Sequence, residues 1–360
     1  MDLLPNDEQA DLTGAIHEFL AAEMPPASLR EPVTDTRFDA RWREIGDLGW
    51  FGLAVAEELG GVGYGVTEEA LLFQELGRSV APGPFLSTAL ACQMASRLGD
   101  DSVISSLVAG ESRAGLAVAW DDQTAAEDGL RGRFLVIDGN RAGYLVVRTA
   151  GAVALIAAPP PTAFDRVPSI DETTDLAELR LDSVSPLVIA TGAHADELVE
   201  RGTILSAAML AGMAEATRDI SVQYAKDRRQ FNQPIGTFQA VSRRCADMAV
   251  RAWSATSLVA MAALCLDSAR RDHRYQAAAA KTVAGDAAIR NAADNIQNLG
   301  AIGFTAEHDA HYFFKRARLV DMVWGDSRRQ ADTLVDDSPG RIGLGDGREL
   351  GRFEQAIPRH

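Results

Sequence analysis

Beyond Ala195 the chain reads as helix almost without interruption to about Asp336, with long Ala-rich stretches at 206 to 227, 238 to 270 and 274 to 298 and few prolines to break them. Segments of that length bury their apolar stripes by packing on one another, which confines the second half of the chain to a bundle of long helices. The first hundred residues are helical in shorter pieces. Leu12, Ile16, Phe19 and Leu20 recur at helical spacing between Asp7 and Glu23, and Pro25 and Pro26 end that helix. A second helix is predicted from about Phe38 to Leu48. Gly49 to Gly65 is too rich in glycine for a regular element, and helices resume at Thr67 to Ser79 and Ser87 to Leu98 on either side of a break at Ala81 to Phe85.

Near Arg113 the character changes. Gly115 to Trp120, Phe134 to Ile137, Tyr144 to Val147 and Val153 to Ala157 are short apolar runs divided by Gly, Asn and Asp, and Asp138-Gly139-Asn140 predicts a hairpin turn. Pro159 to Pro161 and Pro168 interrupt the sheet, and Leu179, Leu181 and Val184 to Ile189 supply its last strands. The fold class is therefore α+β: an N-terminal helical domain over 1–112, a small β-domain over 113–190, and a long four-helix bundle over 191–336. Residues 337–360, rich in Gly, Asp and Arg, are expected to form a mobile tail. There is no internal repeat.

A length of 360 residues allows two or three packed units with a large core. The formal net charge of -16, with no Lys/Arg block, argues against a nucleic-acid partner or an anionic membrane surface. The three cysteines, Cys92, Cys245 and Cys265, are widely spaced in apolar helical runs; they are expected to be buried thiols, with neither a disulfide framework nor a metal site. No uninterrupted apolar run reaches the roughly 18 residues of a membrane span, and the acidic start is wrong for a secretion signal, so a cytoplasmic location is expected.

Three segments carry a resemblance to the acyl-CoA dehydrogenase family that spans roughly residues 5 to 335. Gly49-Trp50-Phe51-Gly52-Leu53, Glu57-Glu58-Leu59-Gly60-Gly61 and Glu75-Leu76-Gly77-Arg78 are similar to its amino-terminal domain, as turns between helices without chemistry of their own. Arg228 to Gln239, reading RRQFNQPIGTFQ, resembles its most recognisable helix-loop-helix. The resemblance implies that Arg228, Gln230, Phe231 and Gln239 contact the ADP half of an FAD whose flavin sits in a neighbouring subunit; a guanidinium suits a pyrophosphate because it is a permanent, fork-shaped cation. Gln297-Asn298-Leu299-Gly300-Ala301-Ile302-Gly303 resembles a third family segment, which makes Gln297, Gly300 and Gly303 further cofactor contacts, with Ala301 in place of a glycine. A helix-end glycine turn is the alternative there.

The family's reaction takes an α-proton from an acyl thioester, so a carboxylate base is required. Its usual place, before Gly-Thr after an Arg/Lys-rich helix, here holds Trp324; its minority place, at the start of a long helix, aligns with Gly202. Neither carries a carboxylate. Asp326 and Glu200 lie two residues away from these positions, and on a helix two residues rotate a side chain by roughly 200°. The family's Thr-Glu-Pro-x-x-Gly-Ser-Asp run for flavin and substrate is also absent, replaced by Ala117 to Thr124, and Trp120 is expected in the core.

The machinery that serves a neighbour's FAD is thus retained, while the chain's own flavin site is eroded. This resembles the non-catalytic subunit of actinobacterial steroid side-chain enzymes, in which unlike subunits form an α2β2 heterotetramer; the Ala81 to Leu90 run is similar to that group as well. The resemblance implies a partner subunit that brings the catalytic Glu and desaturates an acyl-CoA. A homomer with Asp326 or Glu200 as base and a non-enzymatic scaffold are the alternatives.

Overall fold

From Gly202 to Ala214 every residue of one helix is buried, and a helix shielded on all sides can only be the centre of a core. This is α6 (Ala193–Asp227), the longest element. With α7 (Gln239–Asp267), α8 (His273–Leu299) and α9 (Ala310–Met322) it forms the bundle, and α10 (Ser327–Asp336) closes on α8. The structure is a computed structural model and describes residues 3–31, 35–99, 101–120 and 129–337. The expected tail therefore lies, apart from Asp337, outside the described residues.

The amino-terminal helices are α1 (Asp7–Glu23), α2 (Asp35–Asp47), α3 (Val66–Arg78), α4 (Phe85–Ala95) and α5 (Asp101–Val108). Asn6 and Gln9 cap α1 reciprocally. Helix α5 is a departure from the sequence reading, which has no helix there; with eight residues it offers barely two turns of pattern. Helices α3 and α6 touch backbone to backbone. A Cβ on Gly77 would lie 2.0 Å from the Met209 carbonyl, and one on Gly212 1.9 Å from that of Gln74. Ion pairs flank the crossing, Arg201 with the buried Glu69 and Arg78 with Glu215 and Asp219. At the far end Asp267 accepts from the amides of Val66 and Thr67, so the end of α7 caps the start of α3.

The sheet runs β5-β6-β2-β1-β3-β4-β7, with β1 (Ala114–Ala119), β2 (Leu130–Ile137), β3 (Tyr144–Arg148), β4 (Ala152–Ala157), β5 (Phe164–Arg166), β6 (Leu176–Val184) and β7 (Val188–Thr191). Alternation decides its faces. Leu116, Val146, Val153 and Leu155 join the helical core, whereas Ala117, Phe134, Leu145, Val147 and Ile156 form a second cluster within the sheet. Two expectations are corrected. Asp138-Gly139-Asn140 does not close a hairpin, because β2 and β3 both pair with β1, one antiparallel and one parallel. The turn instead crosses over the start of β1, where a Cβ on Gly115 would meet the Gly139 Cα at 2.8 Å. Trp120 is not in the core but 55% exposed. Among the cysteines, Cys92 and Cys265 are buried thiols and Cys245 is half-exposed. Helix α7 is long and apolar enough to cross a membrane by length and composition; here its Met248, Ala252, Ala255 and Val259 are buried in the bundle.

Arg316 on α9 ties the three regions together. Its guanidinium pairs with Asp171 and donates to Thr173, both in the β5–β6 connection, and to the Ala81 carbonyl between α3 and α4 (3.1 Å). Asp171 is wholly buried. Burial pushes its carboxyl up, but the Arg316 guanidinium and the hydrogen bonds from Arg316 and Thr173 outweigh it and hold it below the usual range. Asp171→Asn would strand a buried guanidinium, so a loss of about 3 kcal/mol is expected in urea unfolding at pH 7. The wild-type share of that stability is present above the ordinary carboxylate range and is lost as pH falls through the depressed value. Nearby Asp138, with φ of 52°, has its carboxyl raised to about 6, chiefly by burial. Its burial therefore costs stability that builds as pH rises above the ordinary carboxylate value, near about 4, and is complete above about 6. Asp138→Asn keeps a residue at ease with positive φ and is expected to raise stability at pH 7.5, by on the order of 1 kcal/mol, with the gain vanishing below about pH 4.

Candidate functional site

The two positions at which a carboxylate is expected face each other. Gly202, about two and a half turns inside α6, has no side chain, and a Cβ built on it would stand 2.6 Å from Cδ2 of Trp324. Trp324 leaves α9 with φ of 62°, a left-handed conformation that a bulky residue adopts only when its surroundings enforce it. That turn buries the indole to 1% exposure. Its carbonyl accepts from Thr203 Oγ1 (3.4 Å) and Gln330 Nε2 (3.2 Å). Its Nε1–H has no acceptor among the described residues. The Arg148 guanidinium lies 5.2 Å from the ring centroid, in cation–π range. No space is left between glycine and indole for a reacting carbon, and the one group present cannot take a proton from it.

The neighbouring carboxylates are occupied elsewhere. Asp326 is the N-cap of α10, accepting from the Arg329 amide at 3.0 Å. Glu200 is buried beside His273 at the start of α8, with a carboxylate-to-imidazole separation of 2.5 Å. Burial raises its pKa, against the opposing pull of His273.

What surrounds the indole is cationic, and the sequence reading missed it. Lys281 of α8, 1% exposed, donates to Ser206 Oγ (3.2 Å) and to the carbonyls of Val320 (2.6 Å) and Val323 (3.0 Å). It thereby caps the end of α9 and fixes the turn that carries Trp324. Burial lowers its pKa to about 7. A single lysine inside the Ala-rich run 274 to 298 was the available signal; Arg148, at the end of an apolar strand, offered less.

The residues expected to hold a dinucleotide lie at the far end of α6, away from Trp324. Arg228 caps the C-terminus of α6. Then β8 (Arg229–Gln230) and β9 (Gln233–Pro234) form a hairpin whose loop, Phe231 and Asn232, has φ of 53° and 66°. Gln239 opens α7 and Gln297 and Gly300 end α8. Ser221 with Asn295 (2.9 Å) and Arg244 with Asn298 (2.8 Å) tie these helix ends side by side. Arg228, Gln230, Phe231, Gln239 and Gln297 are all exposed, Phe231 to 86%. Gly303 stands apart. A Cβ there would meet the Ile296 carbonyl at 2.8 Å, so the chain's own packing accounts for that glycine. A guanidinium, three amides and an uncovered ring on one surface have the chemistry for an anionic, aromatic nucleotide end.

Known proteins resemble this chain in sequence and in fold. Residues 6–108 match the acyl-CoA dehydrogenase N-terminal domain and residues 194–337 its C-terminal domain. The acyl-CoA dehydrogenase IpdE2 of Mycobacterium tuberculosis is 31% identical over 94% of this chain and 100% of its own length. FadE34 of the same organism is 37% identical over 80% of this chain, which spans only 41% of that longer protein. The crystal structure of the ChsE4–ChsE5 complex from Mycobacterium tuberculosis superposes with a TM-score of 0.79 at 25% identity, over the whole of both chains. With both terminal domains matched and the helix–sheet–bundle order reproduced, the chain belongs to the acyl-CoA dehydrogenase family.

Proposed function

We propose that this chain is the supporting subunit of a heteromeric acyl-CoA dehydrogenase of the cytoplasm, working in β-oxidation of a CoA thioester of the steroid side-chain type. The observation that carries the reading is the packing of Trp324 on Gly202: a Cβ built there would stand 2.6 Å from the indole, which supports a site with neither the base nor the space the reaction needs. Bound FAD would supply the hydride acceptor. On this reading it is shared across a subunit interface, with its flavin and the catalytic Glu in a partner, in an α2β2 assembly. Arg228 would neutralise the pyrophosphate, Gln230, Gln239 and Gln297 would orient the ADP half by hydrogen bonds, Gly300 would let the backbone approach, and Phe231 would cover the nucleotide. The exposure of all five side chains supports this, since a contact to a neighbour's cofactor must be uncovered in the single chain.

Flavin content tests the assignment. In the complex with the catalytic subunit, Arg228→Ala is expected to lower bound FAD at least about tenfold after gel filtration, as loss of a charge-assisted hydrogen bond would. Unchanged flavin would remove Arg228 from the cofactor site, and absence of FAD with every candidate partner present would favour a non-enzymatic scaffold instead.

The homomeric reading makes the opposite claim about Glu200 and Asp326. Both Glu200→Gln and Asp326→Asn retain hydrogen-bonding side chains, and each is expected to leave kcat of the complex within about twofold of the parent. A fall of a hundredfold or more in either variant, with the fold intact by circular dichroism, would show a base in this chain and sink the supporting role.

A further inference from the structure

A cleft of about 270 Å³ opens beside Trp324, between the β3–β4 turn, the start of α6 and α10. Its charges do not balance. Arg274 on its wall is paired with Asp337 at 2.9 Å, and Glu200 with His273. Arg148 and Arg329 also line it, and neither has a carboxylate within ion-pair distance among the described residues. Asp196, the remaining acid on the wall, pairs with neither. Trp324 contributes ring surface to the wall, its Nε1–H being buried. Helix α6 begins here at Gly192 with no side-chain cap, so its first amides are open as well.

Leaving a buried guanidinium without a counter-charge is costly, and the cost is visible at Arg148. Burial, and then the field of Arg329, bring it down to about 10. Water could solvate one such group, but two guanidinia lining one small cleft share a single complement, an oxygen-bearing anion that accepts from both.

We infer that this cleft is an oxyanion-binding site of the chain, in which Arg148 and Arg329 hold the phosphate or carboxylate group of a small metabolite. Its size suits a phosphomonoester or a short carboxylic acid and not a dinucleotide. The site is made by this chain alone and does not rest on the supporting-subunit reading; it stands or falls by its own residues.

Isothermal titration of the full chain, in the complex in which it purifies, tests it with inorganic phosphate and, separately, malonate. Saturable binding of at least one anion is expected, weakened about tenfold or more by Arg329→Gln. Phosphate alone would identify the ligand as a phosphoester, and malonate binding would extend it to carboxylates; either upholds the site. Arg148→Gln is the stronger variant, but it disturbs a half-buried strand end, so the exposed Arg329 carries the decision. No saturable heat with either anion, or parental affinity in Arg329→Gln, would overturn it.

Discussion

A helix with no solvent-facing side from Gly202 to Ala214 sets the terms for everything packed on it. No charge can be placed against such a surface unless it is partnered, because an isolated ion in a low-dielectric interior is not tolerated. The chain meets this constraint in three ways along α6. At Gly77 and Gly212 it removes side chains altogether and lets backbones touch. At Ser206 it admits the Lys281 ammonium only with three oxygen acceptors around it. At Gly202 it fills the space with an indole.

The third solution explains the electrostatics of the surroundings. A carboxylate at either family position would stand near Arg148 and Lys281 and offset them. With indole and hydrogen there instead, the cations keep their burial cost without that compensation, and both have depressed pKa values, chiefly through desolvation. The aromatic face of Trp324 returns part of the loss through its contact with Arg148. The indole at Gly202 is therefore not an isolated residue but part of a packed neighbourhood, held in place by Lys281 on one side and Thr203 and Gln330 on the other.

Much of the architecture was legible because its signals are local. The 3.6-residue recurrence in α1 and α3, the unbroken Ala-rich runs of α6 to α8 and the apolar runs of β1, β3 and β4 each declare themselves within a dozen residues. What was missed depends on distant partners or on elements too short to show a period. Helix α5 has eight residues and β5 three. The turn at Asp138 has hairpin chemistry, yet the strand after it pairs with β1 because β6 already occupies the free edge of β2. The candidate site divides in the same way. Trp324 and Gly202 were each read from their own motif as empty base positions; that one is empty because the other fills it is a tertiary fact. Arg148 and Arg329, some 180 residues apart in the chain, meet only through the fold.

The opposite end of α6 shows where a single chain ceases to be a sufficient explanation. A two-residue hairpin loop with positive φ at both positions favours Asn and Gly, and the second position here is indeed Asn232. The first is Phe231, which accepts a left-handed backbone and leaves its ring 86% exposed. Strain of that kind costs on the order of 1 kcal/mol or more, and the edge contact with Phe238, at 6.1 Å between centroids, recovers little of it while so much of the ring faces water. Phe304, at the end of the short turn that follows α8, and Trp253 on α7 are similarly bare, at 89% and 75%. Folding of the isolated chain gives no reason to retain aromatic rings on these surfaces. Burial against a nucleotide or another subunit does, and it would place the stabilisation in the assembly instead of the monomer.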